Sequence, residues 1–554
     1  MHLRQRWLAV TLAIAAVVGP FTAEAQEAPS GAASSVSEPA ASDPRVDRLK
    51  KEVAAAVDAR RDLVQQMVDS LFSFSELGFE EVETQRYVTA ILAREGFTVR
   101  RGYAGVPTAW VATWGSGSPV IALGTDIDGL PTTNQTPGVV TRKELVPGGP
   151  GHGEGHNAGQ AVIVTAAIAA KRIMQREKLS GTLVLWPGVA EELFGAKAHF
   201  VRAGLFKDVD AVLFAHVGNR LTTAWGDSAS SGTVSVEYSF TGESAHAAAI
   251  PWRGRSALDA VELMDIGWNF KREHLRLAQR SHYVITHGGD QPNVVPPSAS
   301  VWYYFRENDY DHIKELWALG DTMAQGAALM TGTTFESRVL GSAWPTHGNR
   351  TLAETLYSNI VAVGMPEWSD ADQQFARAAQ RSFHAPEDGL RTTVEDKLEG
   401  REVIPDDEKY GGASDDIGDV MWSAPTATLI FPSNIPGMTI HHWSSAIAMA
   451  TPVAHKGATQ GAKVVALTIL DLVLRPELVS AARDYFVNVQ GKQRVYQSLL
   501  RPEDRPALTM NRATMERLRP ELRKYYYDPA RYKSYLEQLG VAYPPPLPAT
   551  PAAR

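Results

Sequence analysis

At 554 residues, with 44% hydrophobic and 21% charged content, the chain is too long for one core and ordinary enough in composition to be globular, so two or three domains are expected. A net charge of -8 excludes the basic face that nucleic-acid binding requires. The absence of cysteine excludes disulfides, thiolate metal sites, a cysteine nucleophile and a lipoprotein anchor.

Taken in order, the N-terminus reads as a targeting segment. Arg4 and Arg6 precede an apolar run over 7–18, and Ala23-Glu24-Ala25 supplies a small-x-small cleavage pattern. A signal peptide over 1–25 and a disordered linker over 26–46 place the mature protein in the periplasm or outside the cell. No later stretch reads as a membrane span, so no membrane is expected in the mature form.

Residues 48–74 carry Val53, Val57, Leu63, Met67 and Leu71 at helical spacing, and 84–95 reads as a second helix. Two strands follow at 109–114 and 120–125, with Asp126 and Asp128 just past the second. The loop 148–159, GGPGHGEGHNAG, holds His152, Glu154 and His156 among glycines, and the apolar run 161–170 after it reads as a buried helix. A strand at 182–186 leads to Glu191 and Glu192, and one at 211–215 ends on His216.

The middle of the chain changes pattern. A strand at 232–240 with solvent-faced alternation, a helix at 256–277, strands at 282–286 and 300–306, a helix at 309–330 and a strand at 333–340 suggest a small α+β insert. A helix at 352–363, a strand at 426–431 and a helix at 461–474 resume the α/β pattern. The expected organisation is a catalytic domain over 47–228 and 345–475, an insert over 229–344, and a helical, Tyr-rich extension with a Pro-rich tail over 476–554. No phosphate loop or internal repeat is visible.

In open α/β sheets ligands bind outside the carboxyl ends of the strands, which brings Asp126, Asp128, Glu191, Glu192 and His216 together. A two-metal site needs such oxygen and nitrogen ligands, and Glu154, His156, Glu192, His216 and one of His441 and His442 are the candidates. Glu191 and Glu192 on extended backbone point opposite ways, so one carboxylate would bind metal while the other takes a proton from the attacking water.

The runs DIDGLP (126–131), HGEGHN (152–157), AEEL (190–193), SAHAAA (244–249), NVVP (293–296), SDDIGDV (414–420) and IHHW (440–443) occur in an order that resembles the metallopeptidase family of aminoacylases, carboxypeptidases and N-acyl-amino-acid amidohydrolases. Within it, the p-aminobenzoyl-glutamate hydrolase branch is the most similar, in its B-type polypeptide, over about residues 48–474. The resemblance implies a two-metal exopeptidase-like catalytic domain, a mixed sheet flanked by helices, with the insert as an α+β lid and dimerisation domain. It implies Glu191 as general base, Glu154, His156, Glu192, His216 and His441 as metal ligands, and Asp128 as a residue that orients a ligand or the base. It further implies a homodimer in which His246 reaches the partner's site to stabilise the oxyanion, and Asn293 and Arg306 near the substrate carboxylate. One position departs from the branch, where Glu154 stands in place of a cysteine ligand. A carboxylate is a harder ligand than thiolate and favours Mn²⁺ or a more loosely held Zn²⁺.

The function expected is therefore hydrolysis of the amide bond of an N-acyl amino acid or dipeptide, with two divalent metal ions, Zn or Mn, per subunit. The rival reading is a non-catalytic periplasmic binding protein on the same fold, with a degenerate metal site.

Overall fold

The computed structural model describes residues 43–405 and 408–545. The expected signal peptide, most of the linker and the tail beyond 545 lie outside the described residues. The chain first forms helices Pro44–Asp58, Arg61–Phe74 and Val82–Arg94. Thirteen strands follow among the described residues: β1 (Thr98–Arg101), β2 (Trp110–Ser116), β3 (Val120–Asp126), β4 (Gly181–Gly188), β5 (Ala211–Gly218), β6 (Ala224–Asp227), β7 (Gly232–Thr241), β8 (Arg280–His287), β9 (Ser298–Glu307), β10 (Thr334–Ala343), β11 (His347–Gly348), β12 (Glu399–Arg401) and β13 (Thr426–Pro432).

Six of them make a mixed sheet in the order β1-β2-β4-β3-β5-β13. Strands β4, β3, β5 and β13 run parallel and β2 is antiparallel to both β4 and β1, so the carboxyl ends of the four parallel neighbours share one edge. The small, apolar run after the glycine loop forms the helix Gly159–Glu177, buried nearly throughout. It packs with Pro452–Leu474 and the two N-terminal helices on one face of the sheet. The opposite face is filled by Trp186, Phe200, Phe206 and Phe214.

The helix Pro452–Leu474 is long and apolar enough to cross a membrane, contrary to the sequence reading, but it is mostly buried in the protein. Its apolar surface serves the core.

A second, antiparallel sheet in the order β10-β7-β9-β8 is backed by helices Ala257–Lys271 and Tyr310–Thr331. Ser256 caps the first helix and Asp309 the second, each accepting backbone N–H bonds in the first turn. Strand β7 was expected to face solvent, yet Gly232 to Val236 are all buried, because β7 is a central strand between β10 and β9. Strand β8 is an edge. A small sheet of β11, β6 and β12 lies beside β13.

Candidate metal centre and cavity

The catalytic candidates gather at the carboxyl edge of the parallel strands. Asp126 is the last residue of β3 and Asp128 follows it. His216 lies within β5 rather than past its end, in register with Ile430 of β13. Its Nδ1–H donates to the Val217 carbonyl at 2.9 Å, which leaves Nε2 to face Glu154 Oε1 at 3.5 Å.

Glu191 and Glu192 sit on a tight turn after β4. Ala190 opens it in the left-handed conformation at φ 52°. Asp128 grips the turn from below: its Oδ1 accepts from the Glu191 N–H at 3.1 Å and its Oδ2 from the Glu192 N–H at 3.2 Å. Glu81, fully buried, accepts from the Ala190 N–H at 2.9 Å.

His156 is fixed by its neighbour, since the Asn157 amide donates to the Val68 and Met449 carbonyls at 3.1 and 2.7 Å. Its Nδ1 lies 3.7 Å from Asp128 Oδ1 and 3.9 Å from Glu192 Oε1. His441 brings Nε2 to 3.0 Å from Glu154 Oε2 and 3.3 Å from Glu192 Oε2. His442 instead caps the short helix Trp443–Ala446. His152 donates Nε2–H to the Leu71 carbonyl at 3.1 Å, and burial pulls its pKa down to about 3, so it is a neutral donor.

Two trios, Asp126–His156–His216 and Glu154–Glu192–His441, each bring one ligand atom per residue within 4.8 Å, and they share no residue. Both ring nitrogens of His156, Glu192 Oε1 and Asp126 Oδ2 are buried without a hydrogen-bond partner. Buried polar atoms left unpaired are costly. Imidazole nitrogens and carboxylate oxygens in this density are a donor set that fits a divalent metal ion.

The electrostatics follow from that crowding. Burial pushes the Glu192 carboxyl up to about 8, with Glu154 and Asp128 adding to the rise against His156 and His441. Burial likewise raises Glu191 well above the carboxylate range, reinforced by Asp415 and Asp126. Burial also acts to raise Glu154, but the hydrogen bond to His441 and the His156 and His216 charges outweigh it and hold the carboxyl at about 2.

A cavity of about 1080 Å³ opens over this edge and runs to the second sheet, whose Trp302, Tyr304 and Arg306 line it. The Arg306 guanidinium lies 5.2 Å from the Phe194 ring and donates to Ser414 Oγ at 2.9 Å, and its Nε has no partner. Asn293 and His246 are exposed and do not line this cavity; the His246 ring accepts from the Ala248 and Ala249 N–H groups.

Several members of the site were not read from the sequence. Lys197 is wholly buried among Asp126, Asp415 and Asp416. Asn511, from the C-terminal extension, lines the cavity. The adjacent acids in SDDIGDV were the available signal for the first; nothing in the local sequence signalled the second.

The family described as a peptidase dimerisation domain matches residues 228–327. The chain is 33% identical over 463 residues to the B-type polypeptide of p-aminobenzoyl-glutamate hydrolase from Escherichia coli (strain K12), covering 79% of this chain and 95% of that protein. It is 26% identical over 465 residues to the Xaa-Arg dipeptidase of Homo sapiens, covering 81% and 94%. Among solved structures, a proposed aminohydrolase from methicillin resistant Staphylococcus aureus aligns with a TM-score of 0.52 at 16% identity, covering 76% of this chain and all of that one, a likeness of fold.

Proposed function

The chain belongs to the M20 peptidase family and is a metal-dependent amidohydrolase, and on that premise we propose that it cleaves the amide bond of an N-acyl amino acid or small peptide with Glu191 as general base. The observation that carries this reading is the turn at Ala190–Leu193. It sets a buried carboxylate, Glu191, within 4.8 Å of ligand atoms on His156 and Glu192.

Glu154, His156, Glu192, His216 and His441 would hold two divalent ions, Zn or Mn, with Asp126 in reach of His156 and His216. When bound, such ions supply Lewis-acid activation of water and of the amide carbonyl. Glu191, whose raised pKa suits proton uptake, takes the proton of the attacking water and returns it to the leaving amine. Asp128 keeps Glu191 and Glu192 in place through their backbone N–H groups. Arg306 offers an unpaired Nε for the substrate carboxylate. His246 of the partner subunit stabilises the oxyanion and Asn293 lies near the substrate carboxylate; that both are exposed and do not line their own cavity supports a role across a homodimer. The pattern of Arg4, Arg6 and Ala23-Glu24-Ala25 supports export to the periplasm.

The test is turnover of a panel of N-acyl amino acids and dipeptides by protein loaded with Zn²⁺ or Mn²⁺. Glu191→Gln is expected to lower kcat by about 10³-fold or more while metal content is unchanged. A parent protein inert on the whole panel with either metal sinks the proposal in favour of a ligand-binding protein.

A further inference from the structure

The extension after Pro476 takes no part in the reaction above, yet it touches both halves of the site's frame. At the junction of the domains the Tyr496 hydroxyl donates to Asp419 Oδ1 at 2.6 Å, and the Trp344 indole N–H to the Gln497 carbonyl at 2.8 Å. Leu499 and Leu500 are buried in the core of the second sheet and its helices. Arg501 donates to the Ser337 carbonyl of β10 at 2.8 Å, and Asp504 accepts from the Val339 N–H at 3.4 Å. From the catalytic domain, Arg202 donates to the Asp504 carbonyl at 2.9 Å.

The chain then reaches the mouth of the cavity. Asn511 donates Nδ2–H to the Gly78 carbonyl at 3.0 Å. From the helix Arg512–Leu522, Arg519 pairs with the buried Glu76 and donates to the Glu80 carbonyl at 2.8 Å. All of these acceptors belong to one loop, residues 75–81.

That loop is what the glutamate turn leans on. The Glu76 carboxylate accepts from the Glu83 and Thr84 N–H groups, both at 2.9 Å, and its carbonyl from the Gly129 N–H at 2.7 Å. Gly78 packs so closely that a Cβ there would fall 2.8 Å from Ala190 and 3.1 Å from Asp128 Oδ2. Glu81, at the end of the loop, holds the Ala190 N–H. Arg519 and Asn511 thus contact the 75–81 loop, and that loop in turn contacts the turn that carries Glu191 and Glu192.

We propose that the C-terminal extension is a positioning element of the active site. Arg519 and Asn511 fix the 75–81 loop, and through it the turn that carries Glu191 and Glu192. The Arg501–Asp504 segment ties strand β10, and with it the sheet bearing Arg306, to the same piece of chain. The base and the substrate-facing wall are thereby held in one frame. This rests on the reading of Glu191 as general base.

The test compares Arg519→Ala, Asn511→Ala and the conservative Arg519→Lys with Tyr543→Phe. The last removes a bond from the extension to Asp372 at 2.7 Å, which does not involve the loop. A misplaced general base lowers kcat, so the two alanine variants are expected to lose about 10- to 100-fold in kcat with KM within about threefold, Arg519→Lys to recover most of it, and Tyr543→Phe to keep it. Unchanged kcat in both alanine variants, with only a lower Tm, overturns the proposal. Hydrogen exchange at the Ala190–Glu192 amides decides independently of turnover. Faster exchange by about tenfold or more in Asn511→Ala, whose substitution leaves no buried charge unpaired, supports the proposal even if no substrate is found. Parent-like exchange there overturns it, while a failure of the Glu191 assignment alone would leave this exchange effect intact.

Discussion

Behind the metal-site edge, Asp126 is held by a lysine. Lys197 places Nζ 2.5 Å from Asp126 Oδ1 and 3.2 Å from Asp415 Oδ1, with Asp416 as a third partner, and none of its surface is exposed. One oxygen of Asp126 is thus committed to the ammonium while Oδ2 stays free beside His156 and His216. A Cβ on Gly188 of the neighbouring strand would fall 2.0 Å from Asp126 Oδ1, so the fold keeps room for this carboxylate. Asp126→Asn is expected to lower bound metal from about two ions per chain towards one in elemental analysis of dialysed protein, because an amide oxygen is a weaker ligand than a carboxylate. Full retention would place Asp126 outside the ligand set. Lys197→Met leaves two buried carboxylates and the partly exposed Asp415 without their cation and should cost about 3–5 kcal/mol in urea unfolding. Asp126, Glu192 and His216 were legible in the sequence because each follows or ends an apolar run, which is where parallel strands present their residues. Lys197 was not, because a lysine in a short helix reads as a surface residue until its three acidic partners, from β3 and from the 415–416 pair, are brought to it by the fold.

Among the elements, those defined by their own periodicity were readable and those defined by neighbours were not. The helices Gly159–Glu177 and Tyr310–Thr331 followed from composition and spacing. The break between Pro44–Asp58 and Arg61–Phe74 did not, since buried Val57 and Val64 are seven residues apart and the apolar phase runs straight through the turn. Strand β1, with four mostly exposed residues, carries no alternation and exists through pairing with β2. Exposure also marks a surface that lacks a cover within the chain. Ile266 and Phe270 on the helix Ala257–Lys271 are 51% and 76% exposed, and Val284 and Ile285 on the edge strand β8 are 56% and 46% exposed. An apolar edge of this kind is normally covered. If it forms the homodimer, Phe270→Glu should weaken association by about 10-fold or more in sedimentation or light scattering, and specific activity should fall with it on dilution as the partner's His246 is lost. A dimer of parent strength in that variant would move the interface elsewhere.

Across the whole molecule, the extension docks at points where histidines are buried, and this gives the assembly an acid sensitivity. His199 Nδ1 accepts from Arg202, the residue that also holds the Asp504 carbonyl, and His347 Nε2 lies 3.3 Å from the hydroxyl of Tyr485 on the first helix of the extension. Burial pulls both pKa values down to about 4; Arg202 adds to the effect at His199 and Lys409 at His347, against Asp504 and Asp227. The unfolded chain takes up these two protons near pH 6.5, the folded chain only near pH 4. Their contribution is therefore complete above pH 6.5 and is lost as pH falls through 4, with up to about 3 kcal/mol at stake per histidine. Carboxylates with raised pKa run the opposite way. Burial pushes Asp419 up to about 7, and the stability this gives is present at low pH and lost as pH rises through 7. A pH profile of the parent alone mixes the two trends, so the informative quantity is the difference between the parent and the double variant His199→Gln, His347→Gln. Urea unfolding at pH 7 and at pH 4.5 should show the parent losing several kcal/mol more than the variant between those conditions, the carboxylate trend being common to both. An equal loss in the two proteins would mean that the histidines take up their protons without opening the joint between extension and domains.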